Sequence, residues 1–246
     1  MLKGTCLLSF IPIREEARSG SEMINSLLFG ESYTIVESRD EWLKITTHFD
    51  GYTGWISKNA FDEFIEFDSI CNSLYLIAKS NNEKIYIPCG GKFPSTLNFI
   101  KNGKKFKVEQ LLKPIHHLPL KIRLIKTAQQ FLNTPYLWGG RSFMGIDCSG
   151  YTQIIFKANG INLLRDTSQQ ITQGNTIKLN ELNSCDLVFF ANPDSEKVSH
   201  VGLMMDEENI IHSSGFVKIQ KLEPLGLYSN KGILTHKVID FKRIIE

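Results

Sequence analysis

The sequence predicts an α+β chain in which a strand-built N-terminal half precedes a half with helices first and a sheet second. Three observations predict it. Over residues 1–118, short runs rich in β-branched and aromatic residues alternate with turn residues, and no long helix intervenes. At Leu120 the apolar spacing changes to that of a one-faced helix. Beyond Gly160 strand-length runs return. With 246 residues, 42% of them hydrophobic and 22% charged, the chain has an ordinary globular make-up and room for two or three units.

The elements follow in order. Gly4–Ile13 reads as a first apolar strand. Leu27–Glu31, Tyr33–Glu37, Trp42–Ile45 and Gly54–Ile56 read as further strands, and Asp50-Gly51 is a hairpin-turn signal. Closely spaced short strands of this kind point to a small β-barrel over residues 1–65. Leu74–Ala78, a turn at Asn81-Asn82, and Lys84–Pro88 suggest a second small β-unit over 66–118, ending in a linker at Pro114–Pro119 that holds His116 and His117. The remainder, 119–246, opens with a helix from Leu120 to Leu132 that stops before Pro135, because the residue ahead of a proline avoids the helical region. A second helix spans Cys148 to Asn159: Tyr151, Ile154, Ile155 and Ala158 share one face, and Gly160 ends it. Strands at Asp186–Phe190, His200–Met205 and Asn209–His212 complete the half.

Composition excludes several function classes. Lys+Arg number 28 against 26 Asp+Glu, a net charge of +2, and the basic run Lys101–Lys107 is short, so no nucleic-acid partner is expected. No stretch is long and apolar enough for a membrane helix. The cysteines at 6, 71, 89, 148 and 185 are odd in number and show no metal-ligand spacing, which points to reduced thiols and to no metal or cofactor. Met1–Phe10 carries no cleavage-site pattern and is followed by Arg14, Glu15, Glu16 and Arg18, so a cytoplasmic protein is expected.

Chemistry concentrates at Cys148. It falls at a helix start, where partial positive charge is expected to lower a thiol's pKa and favour the nucleophilic thiolate. Such a nucleophile needs an imidazole beside it. If the hairpin after His200–Met205 is centred at Asp206, His200 lies directly opposite His212, so one ring acts as base while the other fixes its tautomer. A slip of one residue in pairing would place the two on opposite faces. Cys6, Cys71, Cys89 and Cys185 read as structural thiols, His116-His117 as solvated, and His48 and His236 give no signal.

Tyr136-Leu137-Trp138-Gly139-Gly140, Asp147-Cys148-Ser149-Gly150-Tyr151, Asp186–Phe190, Ser199–Leu203 and His212-Ser213-Ser214-Gly215 occur in that order. Together they resemble the NlpC-type family of papain-like bacterial cell-wall cysteine peptidases over residues 120–246. The resemblance implies that Cys148 attacks, His200 is the base and His212 orients it. It also implies that Tyr136 and the Cys148 N–H stabilise the oxyanion. Glu31 and Asp50–Ile56 resemble bacterial SH3-like domains, which often precede such catalytic domains. In that branch the resemblance implies a γ-D-glutamyl-L-diamino-acid endopeptidase that acts on free murein stem peptides and releases L-Ala-D-Glu in wall recycling.

A free L-Ala ammonium needs a fixed anion. Asp147 is one candidate, equally readable as a helix cap; the resemblance adds Glu22, because in that branch an acidic residue of the first SH3-like domain reaches the site. Tyr52 is expected to close over the substrate, Ser149 to bond the peptide, and Ser168 and Asp166 to line the groove; Arg165-Asp166 also reads as a surface ion pair. A monomer is expected. Three other readings stay open: an exported hydrolase of intact peptidoglycan, a non-catalytic wall-peptide binder, and an amidase or acyltransferase on the same fold.

Overall fold

The computed structural model describes residues 2–109 and 117–245. Half of the expected linker at Pro114–Pro119, His116 included, lies outside them. Packing divides the chain into two units, 1–117 with 137–145, and 118–136 with 146–246.

The first unit is built of strands. β1 (Lys3–Thr5), β2 (Phe10–Arg14), β3 (Met23–Leu28), β4 (Ser32–Arg39), β5 (Trp42–Thr47) and β6 (Thr53–Ser57) form one sheet in the order β1-β4-β5-β6-β2-β3. The apolar run at Gly4–Ile13 is therefore two strands, not one. Alternation explains the packing: Leu43 and Ile45 of β5 point inward with Ile11, Ile13, Leu27, Tyr33 and Ile56. Asp50 and Gly51 turn the chain between β5 and β6, with Gly51 at φ 70°.

β7 (Ser69–Ile70) pairs with β10 (Lys92–Phe93), and β8 (Tyr75–Ser80), β9 (Glu83–Pro88), β11 (Asn98–Lys101) and β12 (Lys104–Glu109) form a four-stranded sheet. Its core is a cluster distinct from the first, yet it takes in two residues of the N-terminal segment. Leu7 and Phe29 are buried among Phe67, Phe99, Phe106 and Ile87, with the Phe29 and Phe67 rings stacked at 5.7 Å.

Residues 137–145 belong to this unit as well. Arg141 is 1% exposed and forks onto the Glu31 carboxylate at 2.9 and 3.0 Å, while its Nη1 also donates to the Ser26 carbonyl at 2.7 Å. Gly139 sits at φ 74°, and a side chain there would stand 2.5 Å from the Met23 carbonyl oxygen. The second fact explains a residue of the Tyr136–Gly140 motif that carries no chemistry, and the first does so for the residue that follows the motif.

The second unit holds the helices. α1 (Leu120–Gln129) ends three residues earlier than its period suggests, in tight turns running to Thr134. After β13 (Arg141–Ser142) and β14 (Gly145–Ile146) comes α2 (Cys148–Lys157), every residue of which is buried, and then the short α3 (Thr167–Gln170). β15 (Asn175–Thr176), β16 (Leu187–Ala191), β17 (Val198–Met204), β18 (Asn209–Ser214), β19 (Phe216–Lys221), β20 (Gly226–Tyr228) and β21 (Leu234–Arg243) make one antiparallel sheet. Its order is β15-β21-β16-β17-β18-β19, with β20 on β21. The α+β expectation holds. β15, β19, β20 and β21 were not among the expected strands: β15 and β20 are only two and three residues long, and β21 is half-buried throughout with mixed polar and apolar residues. Among the described residues no helix is long and apolar enough to cross a membrane.

Candidate active site

α2 begins where it does because Asp147 caps it: Oδ1 accepts the Gly150 N–H at 2.7 Å. Cys148 is the first residue inside. Its Sγ lies 3.9 Å from Thr167 Oγ1 and 4.0 Å from the carbonyl oxygen of Ser199, so the thiol faces the backbone of the strand that carries His200.

The expected lowering of the thiol's pKa is not what the structure gives. Cys148 is 4% exposed, and burial pushes its thiol up to about 11, with the Asp147 carboxylate adding to the rise. Thr167, the Val201 backbone and Arg165 pull it down by less. A helix terminus offers about half a charge, which does not repay the desolvation of a whole thiolate.

Asp147 does more than cap. Arg165 is 2% exposed and holds it bidentately, Nη1 to Oδ1 at 3.0 Å and Nη2 to Oδ2 at 2.5 Å, while Nη1 also donates to Ser149 Oγ at 2.9 Å. Arg165 is thus a buried counter-ion of Asp147 and not a surface residue. The expected ammonium anchor already has a cation, and the Ser149 hydroxyl accepts from the same guanidinium. Nothing local in the sequence marks a pairing across eighteen residues.

Tyr136 is pinned by its backbone. Its N–H donates to the Gly215 carbonyl at 2.9 Å, and it bridges to Ile146, whose own carbonyl accepts from Ser213 Oγ at 2.8 Å. Burial, helped by Cys148 and Asp147, holds its hydroxyl well above the usual phenol range. It therefore stays protonated, as an oxyanion donor must.

The histidine pair forms, though in a different register. Leu203 pairs with Ile211 and Met204 with Ile210, so the hairpin is centred at Glu207 and Gly202 falls opposite His212. The centre moves by one residue and the pairing by two, an even step that keeps both histidines on one face. The rings meet diagonally, His200 Nε2 to His212 Nδ1 at 2.8 Å. Gly202 leaves room for this: a Cβ there would stand 3.0 Å from that of His212 and 2.6 Å from Ile210 Cδ1. His236, unmarked in the sequence, packs its ring 4.4 Å from that of His200.

Of the remaining expected residues, Asp166 heads α3, its N–H donating to Gln169 Oε1 at 3.0 Å, and Ser168 is exposed on that helix. Glu22 is an exposed residue of the first unit. Tyr52 is half-buried there, its N–H donating to Thr47 Oγ1 at 2.8 Å. The second unit therefore gathers Cys148, Tyr136, Asp147 and Ser149, with Arg165 and Thr167 added. Among the described residues no group of three or more His, Cys, Asp or Glu is placed to hold a metal ion.

Burial keeps His200, His212 and His236 neutral, each below the ordinary imidazole value, and positive charge on Lys218 works in the same direction on all three. Below about pH 6.5 the unfolded chain takes up protons that the folded chain refuses, so stability is expected to fall as the pH drops. For His212, pushed down to about 3, the loss by pH 5 is about 2 kcal/mol. Urea unfolding at pH 7 and pH 5 measures it, and His212→Gln should lessen the slope. A stability unchanged between the two pH values would contradict this picture.

Two family models match the chain. The NlpC/P60 family model matches residues 133–236 and the bacterial SH3 domain model residues 9–61. The γ-D-glutamyl-L-lysine dipeptidyl-peptidase of Bacillus subtilis (strain 168) is 30% identical, over 76% of this chain and 71% of its own. The protein of the same name from Bacillus cereus (strain ATCC 10987 / NRS 248) is 26% identical, over 84% and 72%. A solved NlpC/P60 family protein from Bacillus cereus ATCC 10987 superposes with a TM-score of 0.76 over 99% of this chain and 100% of that one. At 20% identity that likeness speaks for the fold. A thiol at a capped helix start, two hydrogen-bonded histidines on the neighbouring hairpin and a relative matched across both units lead to one conclusion: the chain belongs to the NlpC/P60 family and is a cysteine peptidase with an N-terminal bacterial SH3 domain.

Proposed function

We propose that the enzyme cuts the γ-D-glutamyl-L-diamino acid bond of free murein stem peptides bearing an N-terminal L-Ala, as a step in cell-wall peptide recycling. Cys148 at the start of α2, facing the backbone of the strand that carries His200, and the His200–His212 hydrogen bond support the reading, and the names of the relatives matched across both units narrow the bond. The Cys148 Sγ–H proton passes to His200 as the sulfur attacks the γ-carbonyl carbon. The Cys148 N–H and the Tyr136 hydroxyl receive the oxyanion. The His200 imidazolium then protonates the leaving α-amine. Water, deprotonated by His200, hydrolyses the thioester, releases L-Ala-D-Glu and restores the thiol. The neutral resting state of both groups makes His200 a general base at the moment of attack rather than half of a standing ion pair.

A reducing, cytoplasmic setting is part of the proposal, and five buried cysteines without a disulfide support it. A paired hydrolysis assay tests the whole. One substrate is L-Ala-γ-D-Glu-diaminopimelate with a free amine, and the other is the same peptide carrying N-acetylmuramic acid on L-Ala. Cleavage of the free peptide alone is expected. Equal cleavage of both would favour an exported hydrolase of intact wall, and cleavage of neither would remove this substrate class.

A further inference from the structure

The hydrogen-bonded histidines do not end at His212. Its Nε2 lies 2.9 Å from Oε1 of Gln220 on β19, and Gln220 Nε2 lies 3.0 Å from the Tyr228 carbonyl oxygen on β20. We propose that Gln220 is a positioning residue that sets the tautomer of both histidines and so holds the basic lone pair of His200 at Nδ1. The proposal deepens the reading of Cys148 and His200 as nucleophile and base, and rests on it.

The argument runs from the far end of the chain of bonds. A backbone carbonyl only accepts, so the Gln220 amide nitrogen faces Tyr228 and its oxygen faces His212. An amide oxygen only accepts, so His212 carries its proton on Nε2. A neutral imidazole has one proton, so His212 Nδ1 is then an acceptor, and burial keeps the ring neutral. The 2.8 Å contact with His200 therefore needs the His200 proton on Nε2. That leaves the lone pair at His200 Nδ1, ready for the thiol proton. Reversing any one bond reverses the rest and puts a proton where the base must be empty.

Strand register builds this relay. His212 faces Gly202 on one side and Lys218 on the other, and both of its hydrogen bonds run diagonally past those residues, to His200 and to Gln220. Gln220 sits opposite Ile210 on the same face. Replacing it leaves a buried Nε2–H without its acceptor, so the alternative arrangement, His212 protonated on Nδ1 and His200 on Nδ1, becomes competitive.

Imidazole nitrogen NMR of the unmodified protein at pH 7 tests this without reference to any substrate. The expected result is His212 and His200 both protonated on Nε2. A spectrum with either ring protonated on Nδ1 overturns the proposal. In Gln220→Met, of similar length and lacking the amide, His200 is expected to show a mixture of tautomers. Turnover should then fall about tenfold to a hundredfold, the range one buried hydrogen bond can bias, with KM within about twofold. A Gln220→Met protein with unchanged kcat and an unchanged His200 spectrum also overturns it. Should that variant fail to fold, the wild-type spectrum alone decides. Failure of the substrate assay leaves the spectrum to be read independently.

Discussion

Replacing Cys148 with alanine is expected to lower peptide hydrolysis by about 10⁴-fold or more while the fold survives, a loss of about 5.5 kcal/mol of barrier lowering. The sulfur is the one atom that bonds to the substrate, and Asp147, Tyr136 and the histidines cannot replace it. The structural cost is small by comparison. The thiol contacts at 3.9 and 4.0 Å are weak, and the α2 cap belongs to Asp147. The pH profile of the unmodified enzyme should show why. With the thiol pushed up to about 11 and His200 well below its usual value, the neutral pair persists across the neutral range. kcat/KM is therefore expected to be flat there, to fall on the acid side only below the ordinary histidine range, and to fall on the alkaline side only near the thiol. Hydrolysis and thermal unfolding of Cys148→Ala, measured on one preparation, check the first point; turnover above a hundredth of normal in clean protein would remove Cys148 as the nucleophile.

The second large effect is expected at Arg165. Arg165→Leu leaves the Asp147 carboxylate buried without its cation, a change that typically costs about 3–5 kcal/mol. Three consequences converge on the start of α2. The charge at Asp147 loses its partner, Ser149 Oγ loses a donor, and the downward pull of Arg165 on the Cys148 thiol disappears, so the thiol rises further. Stability and turnover should fall together. Arg165→Lys is not expected to rescue either, because an ammonium cannot place two parallel bonds on one carboxylate. Urea unfolding of Arg165→Leu, Asp147→Asn and the double variant gives the coupling between them. A loss below about 1 kcal/mol in Arg165→Leu would show that the pair contributes little in solution.

Much of the fold was legible because its signals are local. The change of period at Leu120, the Asp50-Gly51 turn and the face of Tyr151, Ile154 and Ile155 each need only a few neighbouring residues. The site was legible where the chemistry is tied to a local position: Cys148 behind a capping residue, and two histidines flanking one hairpin. Its register was misjudged by one residue at the turn, and the histidine pair survived because an even shift keeps the face. Arg165, Gln220 and His236 were not legible. Each acts through a partner brought in by the sheet or by a turn of the chain, and an Arg beside an Asp in sequence gave no sign of the Asp147 carboxylate eighteen residues away. The direction of the Cys148 shift was misread for a related reason, since a helix start can be seen in sequence whereas burial on every side cannot.

The strip from Leu137 to Gly145 makes the chain less modular than its linear order implies. The family signature begins at Tyr136 and resumes at Asp147, yet the residues between them pack with the N-terminal strands, through Arg141 on Glu31 and Gly139 against Met23. A cut at the natural-looking boundary near Leu118 would carry this strip away with the peptidase and leave a nearly inaccessible arginine with no carboxylate to meet. One short passage drawn from within the peptidase sequence thus completes the first unit, so the boundary between units is crossed more than once along the chain.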